Sequence, residues 1–166
     1  MRDVADFPKP GVTFRDLTPV LADEDLRREV IDALASRAWN DESPTAVAGV
    51  EARGFLFGVG VAERLRLPFI PLRKPGKLPW KVVRQDYELE YGSDALEVHA
   101  DAFGVDDRIL IVDDVLATGG TAVAAGALVA QLGADIAGFA FVVELVALGG
   151  RARLVGSPIS SVLTYS

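Results

Sequence analysis

Two aspartates, Asp113 and Asp114, close an apolar run at 109–112, and Ala117, Thr118, Gly119, Gly120 and Thr121 follow a few positions later. Glycines let a backbone approach a ligand closely and turn its N–H groups toward it. A helix starting here adds unpaired N–H donors and about half a positive charge. Thr118 and Thr121 add hydroxyl donors, and together these groups make a cup for a phosphate. The aspartates cannot bind that phosphate, because like charges repel. They can accept hydrogen bonds from the vicinal hydroxyls of a sugar attached to it. The whole segment 109–121, ILIVDDVLATGGT, reads as a sugar-phosphate site, with a ribose upstream and its 5-phosphate downstream. Taken singly, its parts have plainer readings. Adjacent aspartates after a strand can cap a helix or hold magnesium, and paired glycines can form a simple turn.

Two other phosphate motifs are excluded. A Walker loop needs Gly-Lys-Ser/Thr, and no lysine follows Lys81. A dinucleotide fingerprint needs a third glycine after Gly58 and Gly60, where the chain has Glu63. Charge points the same way. The net charge of −7 disfavours nucleic acid as a partner. Yet Arg73, Lys74, Lys77, Lys81 and Arg84 fall within twelve positions that hold no acid. An acidic protein with one basic loop suits a small anion better than a long one.

These groups need a scaffold. Leu26, Val30, Ile31, Leu34, Ala35 and Ala38 recur at helical spacing over 23–38, with Asp23 as the N-cap. A loop at 40–44 precedes an apolar strand at 46–50; Glu51-Ala52-Arg53-Gly54 then turns into a helix at 55–65, and 69–72 is the next strand. Prolines and a glycine make 74–80 irregular. Tyr87, Leu89 and Tyr91, then Leu96 and Val98, alternate with polar residues about Gly92-Ser93 as in a hairpin. A strand at 109–112, a helix at about 120–132 stopped by Gly133, a strand at 138–145 and a last one at 161–164 complete the order. Continuous apolar strands alternating with helices imply an α/β fold, its parallel sheet covered on both faces. Ligands then gather at the carboxyl ends of the strands, where 51–54, 72–77 and 113–121 all fall.

The 166 residues suit one domain with a full core and leave no room for a second. Half are hydrophobic, and mean hydropathy is slightly positive. No cysteine is present, which removes disulfides, thiolate metal sites and a cysteine nucleophile. No apolar run reaches the roughly 18 residues of a membrane span, and the start lacks a signal-peptide pattern. A cytoplasmic location without membrane contact is the expectation.

VDDVLATGGT resembles the phosphoribosyl pyrophosphate signature of the type I phosphoribosyltransferase family. Further stretches carry the resemblance over essentially the whole chain: DFPKPGVTFRDLTPVL, EARGFLFG, RKPGKLP, YELEYG and the closing SVLTY. PGVTFRD, EARGFLFG and LEYG narrow it to the adenine-specific branch. The resemblance implies a central, mostly parallel sheet flanked by helices, in one domain over 1–166. It also implies a small N-terminal hood formed mainly by about 1–22, and a flexible catalytic loop or hairpin. The implied reaction takes adenine and 5-phosphoribosyl 1-pyrophosphate (PRPP) to AMP and pyrophosphate. Magnesium is expected through PRPP, with no direct protein ligand assigned, and a homodimer is implied.

By the same resemblance, Phe14 stacks on adenine, the Thr13 backbone reads the base edge, and Arg53 lies beside the base and pyrophosphate sites. Glu51 and Ala52 form the pyrophosphate loop, and Arg73, Lys74 and Lys77 the basic loop that serves it, a loop that a dimer can supply in part from the second copy. Asp113 and Asp114 hold the ribose hydroxyls, and Ala117, Thr118, Gly119, Gly120 and Thr121 the 5-phosphate. Glu90 and Tyr91 match the Glu-Tyr of the catalytic loop. The chemistry agrees: a ribosyl cation forms between a departing pyrophosphate and an arriving base, so cations must stabilise the leaving group. A carboxylate such as Glu90 can assist the base as it sheds a ring proton. The one histidine, His99, reads as a strand surface residue, and Trp39 and Trp80 as structural or interfacial.

Overall fold

A computed structural model describes residues 1–7, 9–11, 13–36, 43–88 and 92–166. Five strands form the central sheet: β3 (Ala46–Val50), β4 (Phe69–Leu72), β7 (Arg108–Leu116), β8 (Asp135–Leu145) and β9 (Ile159–Tyr165). All four pairings are parallel, in the order β4-β3-β7-β8-β9. β3 leads outward to β4, while β7 leads to β8 and β9 in the opposite direction. The switch lies between β3 and β7, where an open α/β sheet leaves a crevice at its carboxyl edge.

Alternation along these strands builds two cores. Ala46, Ala48, Ile109, Ile111, Phe139 and Phe141 face one side; Val47, Leu110, Val112, Ala140 and Val142 face the other. On the second side lie α1 (Thr18–Ala22), α2 (Glu24–Ser36) and α3 (Arg53–Leu65), with Val20, Leu34, Phe57 and Val61 fully or nearly buried. Asp23 caps α2 as the sequence predicts, its Oδ1 accepting the Leu26 N–H at 3.0 Å. The first side is covered by α4 (Gly120–Gln131) and then by a hairpin of β5 (Val82–Glu88) and β6 (Ser93–His99). Because α4 lies between sheet and hairpin it is Ala-rich on every side, with Ala122, Ala124, Ala125, Leu128 and Val129 buried. No helix among the described residues is long and apolar enough to cross a membrane.

Several boundaries differ from those read in the sequence. β7 does not stop at Val112. It runs through both aspartates to Leu116, because β8 continues beside it and pairs Asp113 with Phe141 and Leu116 with Glu144. The hairpin begins at Val82, well before the alternation was legible, and pairs Val82 with His99 through Glu88 with Ser93. α3 starts at Arg53, β8 at Asp135 and β9 at Ile159. Near the start, β1 (Arg2–Val4) and β2 (Phe14–Asp16) form an antiparallel ribbon that the sequence did not announce. His99 is half-buried rather than a surface residue, and its Nε2 is buried without a hydrogen-bond partner among the described residues. Trp80 is exposed, while Trp39 and part of the 40–44 loop lie outside the described residues.

Candidate active site

A pocket of about 410 Å³ opens at the switch point. Its walls bring together Thr13 and Phe14 from β2 and the residue before it, Glu51, Ala52 and Arg53 after β3, Lys74 after β4, and Asp113, Asp114, Ala117 and Thr121 from β7 and the loop beyond. Thr118, Gly119 and Gly120 line a smaller recess of about 60 Å³ that shares Val115, Ala117 and Thr121 with it. Residues more than a hundred positions apart thus converge on one cavity: β3, β4 and β7 deliver their carboxyl ends to the same edge, and the start of β2 adds Thr13 and Phe14.

The acids are set apart by their neighbours. Asp113 is buried and its Oδ1 accepts the Asp114 N–H at 2.8 Å. Burial first, and then the adjacent Asp114 carboxylate, push the Asp113 carboxyl well above its ordinary value. The first turn of α3 presses on it. A Cβ at Gly54 would lie 2.8 Å from Asp113 Oδ1 and 3.0 Å from the Val112 carbonyl oxygen, so only glycine fits there. Asp114 meets Arg53, whose Nε lies 2.6 Å from Oδ2. That oxygen is buried and takes the charge without a directed hydrogen bond. The Arg53 guanidinium also lies 5.1 Å from the centre of the Phe14 ring, which Phe7 meets edge-on at 5.2 Å.

Glu51 is joined to Ala52 by a cis peptide bond, and its carboxylate organises the basic loop. Its Oε2 accepts the Lys74 N–H at 2.8 Å, and its two oxygens take Arg73 Nε and Nη2 at 3.3 and 3.1 Å. Burial raises the Glu51 carboxyl, but the bonds from Arg73 and Lys74 outweigh it and hold the group below its ordinary value. Arg73 also donates to the Lys77 carbonyl at 3.1 Å, so its charge is committed to shaping the loop. From the other side Glu97, buried in β6, accepts the Gly76 N–H at 2.9 Å, where φ is +73°. Lys77 does not line the pocket. Glu90 and Tyr91 lie outside the described residues.

The glycine loop at 117–121 rests on a layer that the sequence did not reveal. Gly119 takes φ +82°, and a Cβ there would lie 2.8 Å from the Gly150 carbonyl oxygen. A Cβ at Gly150 would collide with the Ala117 carbonyl oxygen. The turn carrying Gly150 is held by Arg151, whose guanidinium pairs with the buried Glu144 at 2.8 and 2.5 Å, while Ser161 donates to the same carboxylate at 2.7 Å. Arg153 Nη1 donates to the Thr118 carbonyl at 3.2 Å. No local motif marks this layer, since its members lie on three different elements.

Known proteins share this arrangement. The phosphoribosyl transferase domain family model matches residues 20–153. The adenine phosphoribosyltransferases of Methylococcus capsulatus and Anaeromyxobacter dehalogenans are 56% and 53% identical over 165 residues, 99% of this chain and 96% and 95% of theirs. The crystal structure of the adenine phosphoribosyltransferase of Thermoanaerobacter pseudethanolicus superimposes with a TM-score of 0.94 at 46% identity, covering 99% of this chain and 95% of that one. That of Saccharomyces cerevisiae, solved with adenine and an imino-altritol bisphosphate, gives 0.92 at 39% identity over 98% and 93% of the two chains.

Proposed function

The chain belongs to the phosphoribosyl transferase family, in its adenine branch, and from that premise we propose how its residues divide the reaction. The enzyme joins adenine to PRPP, giving AMP and pyrophosphate, a step of purine salvage. The observation that carries the assignment of roles is the pocket and its neighbour: an aromatic wall at Phe14 and a pair of acids at Asp113 and Asp114 line one cavity, and a glycine-lined recess adjoins it through Ala117 and Thr121.

Adenine stacks on Phe14, and the Thr13 backbone reads its edge, where the amino group needs an acceptor. Asp113 and Asp114 accept the ribose hydroxyls. Ala117, Thr118, Gly119, Gly120 and Thr121 hold the 5-phosphate with backbone N–H groups, hydroxyls and the start of α4. Glu51, Ala52 and Arg53 line the pyrophosphate subsite, with Lys74 as the cation in reach of the pocket. Arg73 serves that subsite through Glu51, and Lys77 through its carbonyl. As the bond from the sugar's C1 to pyrophosphate breaks and the bond to the base nitrogen forms, positive charge on the ribose lies near Asp113 and Asp114. The proton leaving the base nitrogen is assigned to the Glu90 carboxylate, with Tyr91 beside it on the same loop.

Magnesium fits this site as a passenger on PRPP. Of the three carboxylates in the pocket wall, Asp114 is already matched by Arg53 and Glu51 by Arg73, and no group of three His, Cys, Asp or Glu among the described residues could cage a metal. A hard cation of this kind sits on phosphate oxygens and neutralises charge on the leaving group. A homodimer is supported by Leu56 and Val59, which α3 leaves exposed and which a second copy would cover.

A crystal structure with AMP tests the division of roles. The base is expected against Phe14 and the phosphate against the Gly119 and Gly120 amides. A base seated elsewhere, or a phosphate beside Glu51, would overturn it.

A further inference from the structure

Lysine is a charge on a flexible four-carbon stem, and a free one samples many positions. Lys74 is not free. Its ammonium pairs with Asp94 Oδ2 at the start of β6 and donates to the Tyr87 hydroxyl, 2.8 Å away at the end of β5. Tyr87 in turn donates to Asp94 Oδ2 at 3.2 Å, and Asp94 Oδ1 accepts the Ala95 N–H at 2.8 Å. Tyr87 and Asp94 are register partners across the hairpin, so the strand pairing itself sets their spacing. Two of the three ammonium donors are thereby used, leaving one for a ligand.

The same tyrosine reaches the other end of the site. A Cβ at Gly120, on the first turn of α4, would lie 3.5 Å from Tyr87 Cδ2 and 3.2 Å from the Glu88 carbonyl oxygen. The turn end of the β5–β6 hairpin therefore touches the 5-phosphate loop on one side and Lys74 on the other. The segment carrying Glu90 continues directly from Glu88.

We propose that Asp94, together with Tyr87, is a positioning pair that aims the Lys74 ammonium at the pyrophosphate of PRPP. The inference rests on the reading that Lys74 serves pyrophosphate. Burial alone would lower the Lys74 ammonium, yet the bonds to Asp94 and Tyr87 outweigh it and keep the group charged.

Calorimetric titration of the full chain with PRPP and magnesium, without adenine, tests it, with AMP as the control ligand that lacks pyrophosphate. Asp94→Asn is expected to weaken PRPP about tenfold and leave AMP within about twofold. Tyr87→Phe, which removes only a hydroxyl, should weaken PRPP in the same direction, and Asp94→Glu should recover most of the loss. PRPP binding that is unchanged or tighter in Asp94→Asn would overturn the proposal. So would an equal loss for AMP, the mark of a merely structural residue. Lys74→Ala separates the two claims. If it leaves PRPP binding intact, the reading of Lys74 fails and the proposal with it. If it weakens PRPP while Asp94→Asn and Tyr87→Phe do not, only the positioning claim fails.

Discussion

Arg53 Nε lies 2.6 Å from Asp114 Oδ2, so the pocket-wall residue beside Phe14 also balances one of the two buried acids of β7. The contact joins the loop after β3 to the end of β7 across the switch point of the sheet. In the division of roles proposed above, the charge of Arg53 lies where base, ribose and pyrophosphate meet.

Replacing Arg53 with Met keeps the bulk of the side chain but removes its charge, its contact with Phe14 and the partner of Asp114. A loss in kcat/KM on the order of tenfold to a hundredfold is expected, from about 1–3 kcal/mol of lost binding. The fall should appear with adenine and PRPP varied in turn. A loss confined to one substrate would contradict the bridging position.

Asp113 holds its proton to higher pH in the folded chain than in the unfolded one. Below the ordinary carboxylate range of about 4, the stability linked to that proton is complete. As pH rises through the raised folded value, the buried carboxyl must ionise and that stability is lost. Asp113→Asn has nothing to ionise. The melting temperature of the variant minus that of the wild type, both without ligand, should therefore grow as pH rises across this window. Parallel melting curves would contradict the assignment. The variant should also bind PRPP more weakly, because its amide N–H groups face sugar hydroxyls that need acceptors.

Glu144 carries the layer beneath the glycine loop at 117–121. Removing one partner of a buried ion pair costs several kcal/mol, but the Arg151 side chain is 48% exposed, which reduces the effect. Glu144→Gln should cost about 2 kcal/mol in urea unfolding and weaken AMP through the loosened turn at Gly150. Hydrogen bonds from Arg151 hold the Glu144 carboxyl below its ordinary value. Its contribution is therefore present above the unfolded value and lost as pH falls through the folded one. Unchanged stability at neutral pH would show that the turn is held by other contacts.

The parts of the site that were legible in the sequence are those where chemistry and chain order coincide. Asp113, Asp114 and the glycines at 119 and 120 stand side by side, and the strand and helix around them follow apolar periodicity. β7 was read short because two charges end an apolar run, whereas its real end is set by pairing with β8. Glu97 looked like the solvent face of a strand, and it is buried because it accepts the Gly76 N–H. Arg73, read as part of the basic loop for pyrophosphate, is paired with Glu51, 22 positions earlier, a contact with no mark in the sequence. The ribbon of β1 and β2 is short and polar, so no pattern announced it. Lys74 with Asp94, and Glu144 with Arg151 and Ser161, depend on which elements the fold lays side by side.

The choice of base is the claim on which the rest depends, and one competition assay tests it most directly. Adenine, guanine, hypoxanthine and xanthine are offered together in equal amounts with PRPP and magnesium, and the nucleotides formed are quantified. Adenine alone should be consumed, with AMP and pyrophosphate appearing in equal amounts. A 6-oxopurine nucleotide formed at a comparable rate, or adenine left untouched, would contradict the assignment.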